Sequence, residues 1–578
     1  MFFFSAALNA VLLHTGSLFG AVYRNRYRNK GKKGAQVSEK WLLRTLWRSR
    51  NTEIGKKFGF ANLRSVKDYQ DAVPLSAYDD YAPYIDRMIK NGEQRLITSK
   101  KVSFYTPTSG TGGTSKYIPQ TWASLYPYFP FICFLANDLV EAMRARHVPS
   151  LTGRGFLVTE HRTQQASEVV EGAGGKARIG VVSSYAMGGA GLLMPLFTPL
   201  PGEVFNGGEA CDLKYIKARY GIQDPKLKYF GGVYMSSLTD EIAYIEKNHD
   251  MLIHDIETGT IDPSVEMSDR VRKELEKKLR PDPKRAGELR EIFNTSSDVP
   301  LVSRIWKDLS FVCAIGSGDF EPFTRKMRAL CNPDVQFSYS MYAASEATMG
   351  IAMGLEEKRY LLLSNLGFYE FLPIPEECEV MPARPLLMHE LEVGKHYEII
   401  LTNASGLYRY RIRDVIRVVG FEGNVPYIEF AYRSTFLTDF AAIHLTGEQL
   451  AGAVEAAEKA MGLRVDDYSL YGNLEGEKPR LNLYLETARP LSAAELSRMT
   501  QVFDRTLIEI SHDYHFHKAE IGDVESAVLI PVAQGTYMRY RDMRVAAGAS
   551  LNQLKAIRVI KKPEDLMFFR AAAVHPEQ

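Results

Sequence analysis

SFYTPTSGTGGTSKYIPQT, residues 103–121, sets an apolar and aromatic run ahead of a Ser/Thr/Gly-rich hairpin, with a lysine on its far side and a second apolar run containing a proline. Glycine takes positive φ at little cost and lets a ligand approach the backbone, so N–H groups clustered here can converge on an anion. The stretch reads either as a phosphate cradle or as a plain turn between two strands. Its spacing is not that of the G-x-x-x-x-G-K-[ST] phosphate loop, because Gly112 and Gly113 run directly into Thr114, Ser115 and Lys116.

Around this stretch, 578 residues are too many for one hydrophobic core and imply two to four domains. The hydrophobic share of 45% and charged share of 24% are those of an ordinary soluble folded chain. Lys and Arg number 71 against 69 Asp and Glu, a balance that gives no sign of a nucleic-acid surface. Cys133, Cys211, Cys313, Cys331 and Cys378 are scattered without C-x-x-C spacing, which argues for reduced thiols and against a zinc site or a disulfide scaffold. The histidines form no metal-ligand pattern, and no G-x-S-x-G elbow supports a hydrolase.

The N-terminus is the compositional anomaly. Met1–Tyr23 carries no charge apart from His14, and Arg24, Arg26, Arg28, Lys30, Lys32 and Lys33 follow at once. Three readings stand: a helix packed on the protein's own surface, an anchor that touches or spans a membrane, and a signal peptide. A signal peptide would carry its positive charge ahead of the apolar core. For an anchor, the basic cluster would hold everything downstream in the cytoplasm.

Further along, Leu42/Leu43 and Leu46/Trp47 predict an amphipathic helix from Val37 to about Asn51. Ser76 with Asp79 reads as a capping box ahead of a buried stripe of Tyr81, Ile85, Met88 and Ile89. Trp122–Ala145 is apolar enough for a buried helix. GFLVT, ARIGVV and KYFGGVY, between residues 153 and 234, read as strands among Gly/Pro-rich turns. Ser268–Phe293 predicts a charged surface helix with Val271, Leu275 and Leu279 inward, Asp269/Lys273 and Glu274/Lys278 paired, and a stop at Pro281. Three strand-to-turn junctions are rich in small polar residues: Gly316–Gly318, the turn holding Glu346, and Gly406–Asp414 between strands at 397–402 and 415–420. They are expected to meet at one cleft.

Past Phe430 the texture changes. Thr446 and Gln449 cap a helix with Leu450, Val454, Ala457 and Met461 inward; Leu481, Leu483 and Leu485 then alternate with Asn482, Tyr484 and Glu486. Ser492 and Glu495 cap a second helix with Leu496, Met499, Phe503, Leu507 and Ile510 inward. Helix, strand, helix describes a small α+β unit able to fold separately, with a boundary between Phe430 and Leu445. The expected organisation is an apolar and basic segment at 1–36, a large domain at 37–432 and a small one at 433–578.

Four motifs in order resemble a family. SGTGGTSK (Ser109–Lys116) is similar to the SGTTGxPK loop of adenylate-forming enzymes, YAASE (Tyr342–Glu346) to their YGxTE element, and GLYRYRIRD (Gly406–Asp414) to their YRxGD element. With KYIP after the loop and GASLNQLK near the C-terminus, the chain most resembles the acyl-acid amido synthetases first known from plant auxin-responsive genes. The likeness runs from about Thr52 to Leu566. It implies an α/β fold, in which β-sheets flanked by helices form a large domain and a small mobile α+β domain closes over the site.

The resemblance also implies site residues. Ser109, Gly110, Thr111 and Gly112 would cradle the β- and γ-phosphates of ATP, with Lys116 adding positive charge. Tyr342 would lie against the adenine and Ser345 would reach phosphate. Glu346 would ligate Mg²⁺, whose hardness suits an oxygen donor. Asp414 would take both ribose hydroxyls; its structural alternative is a turn Asp paired with Arg411 or Arg413. Lys555 would be the catalytic lysine of the mobile domain, and Arg433 resembles a basic residue used near the hinge. Arg413 stands where the family has glycine, so a positive-φ conformation is expected to be lost or strained. Gly112 replaces a common Thr or Ser, and Ala343 a glycine.

The activity implied is adenylation of a small carboxylic acid by ATP, followed by transfer of the acyl group to an amine, typically an amino acid. Two alternatives differ in kind: a synthetase with a thiol acceptor such as coenzyme A, and a non-catalytic, membrane-associated nucleotide-binding protein. No recognisable pantetheine-binding stretch supports the first.

Overall fold

A computed structural model describes residues 2–108, 116–148, 152–158, 163–165, 170, 177–188, 193–202, 212–339, 341–374, 384–433, 438–440, 443–547 and 554–574. Side chains at 2–4, 30, 163–165, 186–188, 319, 433, 438–440 and 444 stand outside that description. The chain is mixed α/β in two units. The larger comprises Met1–Ser317, Met327–Ile412 and Ile416–Glu429, and the smaller Gly318–Lys326, Arg413–Val415 and Phe430–Gln578.

The larger unit begins with a helix, Phe2–Gly31, laid on a second helix, Tyr128–Ala145. Small residues set the approach: Gly20 lies so close to the Cys133 carbonyl that no Cβ would fit, and Gly16 abuts Ala136. Leu13 is buried with Leu139, Val140 and Met143. Polar locks fix the register. Asn9 donates to the Gly153 carbonyl at 3.1 Å and accepts from its N–H at 2.9 Å, and Arg24 bonds Asn137 at 2.7 Å and ion-pairs with buried Asp138. In the structure this helix packs against Tyr128–Ala145, as the first of the three readings of the N-terminus has it, with its other face left exposed.

Three sheets build the rest. β1 (Val102–Thr108) and β2 (Lys116–Thr121) pair antiparallel from Val102↔Thr121 to Thr108↔Lys116. The parallel sheet holds β3 (Gly155–Val158), and β4 (Thr163–Gln165) and β5 (Arg178–Gly180) extend the first sheet in the order β2-β1-β5-β4. β6 (Tyr229–Tyr234), β7 (Phe311–Ile315) and β8 (Gln336–Ser338) complete the parallel sheet in the order β3-β6-β7-β8. Its register aligns Phe156, Phe230, Val312 and Phe337 in one buried row. Such uniformly apolar strands are what a parallel sheet covered on both faces requires.

The large sheet has eight strands in the order β13-β12-β14-β15-β16-β11-β10-β9. They are β9 (Met341–Ala343), β10 (Thr348–Ala352), β11 (Tyr360–Leu362), β12 (Phe368–Pro373), β13 (Leu386–Leu387), β14 (His396–Thr402), β15 (Tyr410–Glu422) and β16 (Val425–Arg433). The smaller unit adds a hairpin, β17 (Thr438–Phe440) and β18 (Ile443–Leu445), and a sheet of β19 (Val465–Asn473), β20 (Arg480–Thr487) and β21 (Val528–Pro531).

Several expectations shift. The helix predicted at Val37–Asn51 spans Gly34–Ser49 with Leu42 and Leu46 buried, while Trp47 is exposed beneath the Arg50 guanidinium. Ser76 caps nothing. It bridges to Tyr410 and donates to the Tyr408 carbonyl at 2.8 Å, and the helix Tyr78–Lys90 is capped one residue later, where Asp80 accepts from Ala77 N–H. The predicted stripe of Tyr81, Ile85, Met88 and Ile89 is buried. Ser268–Phe293 is two helices, Asp269–Glu276 and Pro283–Asn294, and Glu274 pairs with Lys277 at 2.7 Å.

β20 departs most instructively. Leu481, Leu483 and Leu485 enter a core with Leu450, Phe503 and Leu507, whereas Tyr484 enters a second core with Tyr537, Tyr540 and Phe569. Alternation here separates two cores, not core from water. Both predicted capping boxes form, at Thr446/Gln449 and Ser492/Glu495.

Burial makes one acid of the larger unit sensitive to pH. Glu241, on the helix Met235–Thr258, is 1% exposed and its Oε1 has no hydrogen-bond partner among the described residues. Burial pushes its pKa up to about 8, against the pull of Lys217 and Lys214. A carboxyl with a raised folded-state pKa favours the native state fully below its unfolded value, and that contribution is lost as pH rises through about 8. Glu241→Gln is therefore expected to flatten the fall in melting temperature between pH 5 and 8; parallel profiles for the two proteins would refute it.

Candidate active site

The turn between β9 and β10 is the centre of a cleft in the larger unit. Ala344 N–H bonds the Ala347 carbonyl at 2.9 Å, which closes the turn and turns Ser345 and Glu346 outward from the strand ladder. Both are half-buried. Two buried amides clamp the turn from opposite sides: Gln120 Nε2 donates to the Ser345 carbonyl at 2.6 Å, and Asn403 Nδ2 to the Glu346 carbonyl at 2.8 Å. Asn403 spends its oxygen on the N–H groups of Ser405 and Leu407, at 2.9 and 3.0 Å. Neither amide is marked in the sequence, beyond each closing a strand, because the clamp depends on positions 225 and 57 residues away.

The cleft holds about 480 Å³ of space, its open mouth included. Its enclosed part is only about 50 Å³, well below the about 300–1,000 Å³ of small-molecule clefts. Besides the turn it is lined by Ser124, Tyr128, Val182 and Ser405, and Ser124 and Ser405 share a 3.1 Å hydrogen bond. Of the three predicted junctions only the turn holding Glu346 lines the cleft; Asn403–Ser405, just ahead of Gly406–Asp414, line it, but Gly406–Asp414 itself does not. Gly316–Gly318 is not part of the lining. Gly318 instead takes φ 61° and leaves no room for a Cβ beside the Phe430 ring.

The other predicted residues fall in several places. Tyr342 is buried on β9, its ring 6.1 Å from that of Tyr360. Lys116 opens β2 with its ammonium 5.3 Å from the Tyr78 ring. Ser109, Gly110, Thr111 and Gly112 lie outside the described residues, as does the side chain of Arg433, which ends β16. Asp414, Arg433 and Lys555 belong to the smaller unit; Lys116, Tyr342, Ser345 and Glu346 belong to the larger. Among the described residues no three His, Cys, Asp or Glu side chains cluster as a metal site. A Mg²⁺ held by one carboxylate and substrate phosphates would need none, and the half-buried Glu346 carboxylate is a donor of that kind.

GLYRYRIRD proves largely architectural up to its final residue. Arg409, 4% exposed, ion-pairs with buried Glu370 at 3.0 Å and donates to the carbonyls of Gln70 and Val73. Arg411 pairs bidentately with Glu398, at 2.8 and 2.6 Å, which raises its pKa. Arg411 is thus committed to Glu398, which removes one of the two arginines proposed as an ion partner for Asp414. Asp414 is itself buried, at 5% exposure.

Of the two outcomes expected at Arg413, loss or strain of the positive-φ conformation, the structure has the second, with φ at 67°. The chain retains the left-handed step before Asp414 and bears its cost, about 1–2 kcal/mol for a residue with a Cβ. Arg413→Gly is expected to stabilise by up to about 1 kcal/mol, and Arg413→Val to destabilise by more than that. Equal urea midpoints for all three proteins would mean that the strain is absent.

Lys555 is exposed on a segment tied down just beyond it. Leu470 N–H bonds the Arg558 carbonyl and Ile560 N–H bonds the Leu470 carbonyl, each at 2.8 Å. Arg558 also pairs with buried Asp467 at 2.6 Å and lies over the Tyr468 ring. Asp467 takes a second buried guanidinium, Arg541, at 3.0 Å.

Known proteins share both sequence and architecture with this chain. The GH3 family N-terminal domain matches residues 24–336, the GH3 central domain 360–433 and the GH3 C-terminal domain 448–564. An indole-3-acetic acid-amido synthetase, GH3.8 of Oryza sativa subsp. indica, is 26% identical over 93% of this chain and 91% of its own length. A jasmonoyl–L-amino acid synthetase, JAR4 of Nicotiana attenuata, is 24% identical over 92% of each. The solved structure of GH3.15 acyl acid amido synthetase superposes with a TM-score of 0.83 at 19% identity, covering 96% of both chains. With three consecutive domain models matched from residue 24 to residue 564, this chain belongs to the GH3 family.

Proposed function

We propose that this chain is an ATP-dependent acyl-acid amido synthetase. A carboxylate oxygen of a small acid attacks the α-phosphorus of ATP; an O–P bond forms, the α–β anhydride breaks and pyrophosphate leaves. The nitrogen of an amine, an amino acid in the relatives' case, then attacks the acyl carbon. A C–N bond forms, the C–O bond to phosphate breaks, AMP leaves, and the nitrogen's proton passes to a base.

The observation that carries this reading is the Ser345–Glu346 turn, held rigid by Gln120 and Asn403 at the wall of an open cleft. A preorganised polar edge of this kind costs no reorganisation when charge develops on a bound phosphate. In this reading Ser109–Gly112 and Lys116 hold the β- and γ-phosphates, Ser345 contacts phosphate, Tyr342 meets the adenine and Asp414 the ribose. Glu346 would hold Mg²⁺, which when bound neutralises phosphate charge. By resemblance to the family, Lys555 would supply a cation at the α-phosphate and Arg433 would be a further basic residue of the reaction.

Acid-dependent exchange of pyrophosphate into ATP, run over aromatic, aliphatic and fatty acids, tests the first step. Exchange with at least one acid class is expected. None with any class would overturn the proposal.

A further inference from the structure

The two helices that pack against each other at the start of the larger unit leave an apolar face uncovered. Val11, Leu18, Phe19 and Val22 on the first are 49–71% exposed. So are Trp122 and Tyr126 on the turn leading into the second, and Phe129 and Ile132 in its first turns, at 54–70%. The faces are contiguous: the rings of Tyr23 and Phe129 meet edge-on at 6.2 Å. Gly20 abuts Cys133, so Phe19 and Ile132, each one residue earlier, flank the same side of this antiparallel pair. Arg26, Arg28, Lys32 and Lys33 are all exposed where the first helix ends, beside the aromatic cluster.

Isolated exposed apolar residues need no explanation, but six on two touching helices and two more on the turn leading into the second, bordered by four cations, do. The cations choose the occupant. An apolar face with interfacial Trp and Tyr and a basic rim complements a bilayer of anionic lipid, whose headgroups attract Lys and Arg while the boundary region receives the rings. A spanning orientation fits less well. By length and apolarity Ser5–Asn29 could cross a membrane. To do so it would have to leave Asn9 without Gly153 and strip Arg24 from buried Asp138.

We propose that the face formed by Phe2–Gly31 and Trp122–Ile132 is a peripheral docking surface for an anionic bilayer. Docking has a consequence for the cleft. Ala123, Ser124, Pro127 and Tyr128 line it, while Trp122, Tyr126 and Phe129, next to them in the chain, are exposed, so the lipid surface would lie behind one cleft wall. Lipid docking is independent of the reaction assigned above, and its test reads no activity.

Full-length protein is floated with vesicles of phosphatidylcholine alone, or with about 30% phosphatidylserine, at low and high salt. Binding to the anionic vesicles at least about tenfold tighter than to the neutral ones, and weakened by salt, is expected. Leu18→Glu/Val22→Glu/Phe129→Ser should abolish binding with the melting temperature unchanged, since all three side chains are exposed. Arg26→Gln/Arg28→Gln/Lys32→Gln/Lys33→Gln should remove the preference for anionic lipid. Failure to float with either vesicle overturns the proposal, as does unaltered binding by the triple variant. So does a concentration-dependent dimer that the triple variant dissolves, because a second copy would then cover the face.

Discussion

Asp467→Ala is expected to destabilise the smaller unit by about 3–5 kcal/mol, the usual cost of removing one partner from a buried ion pair. The two guanidiniums it holds, Arg541 and Arg558, are 7% and 5% exposed and would be left charged in a place water barely reaches. The native triad need not be strongly stabilising for this to hold. Desolvation of three charges offsets much of their attraction, and the penalty arises when the charges no longer balance. Urea unfolding followed at the smaller unit gives the number, and a loss under about 1 kcal/mol would show that water or another acid replaces the carboxylate. Asp467→Ala should also loosen residues 554–560, because Arg558 ties that segment to β19.

Lys555→Ala tests the opposite situation, a large effect on chemistry with none on folding. Its side chain is exposed, so the melting temperature should not move. Acid-dependent pyrophosphate exchange should fall about 10²–10³-fold, the range seen when one preorganised group that stabilises transition-state charge is removed. Lys555→Arg should recover part of the rate, because it keeps the charge but changes its reach. Exchange at the wild-type level in Lys555→Ala would remove the lysine from the site while leaving the larger unit's cleft in place.

How far the sequence foretold this protein depended on how local each cause was. Thr446/Gln449 and Ser492/Glu495 were legible because a capping box needs only residues three apart. Ser76/Asp79 has the same signature and fails, since Ser76 is claimed by the backbone at Tyr408–Tyr410, more than 330 residues on. The strand at Leu481–Leu485 was legible as a strand, but no alternating pattern can tell one core and water from two cores. Ser345 and Glu346, singled out through motif order, line the cleft; Gln120 and Asn403, which hold their turn, were not singled out, because their partners are brought close only by the fold. At Arg413 the missing glycine correctly marked a strained position, and the surrounding strand keeps φ positive regardless.

The central claim joins two half-reactions at one site, and one measurement addresses both. The full-length protein is incubated with ATP, Mg²⁺, an acid that supports exchange and a mixture of amino acids, and AMP and acyl–amino acid are quantified together by mass spectrometry. The account predicts AMP and amide in equal amounts, both dependent on acid and amine together. Pyrophosphate release and acyl adenylate without any amide, whichever amine is supplied, would contradict it.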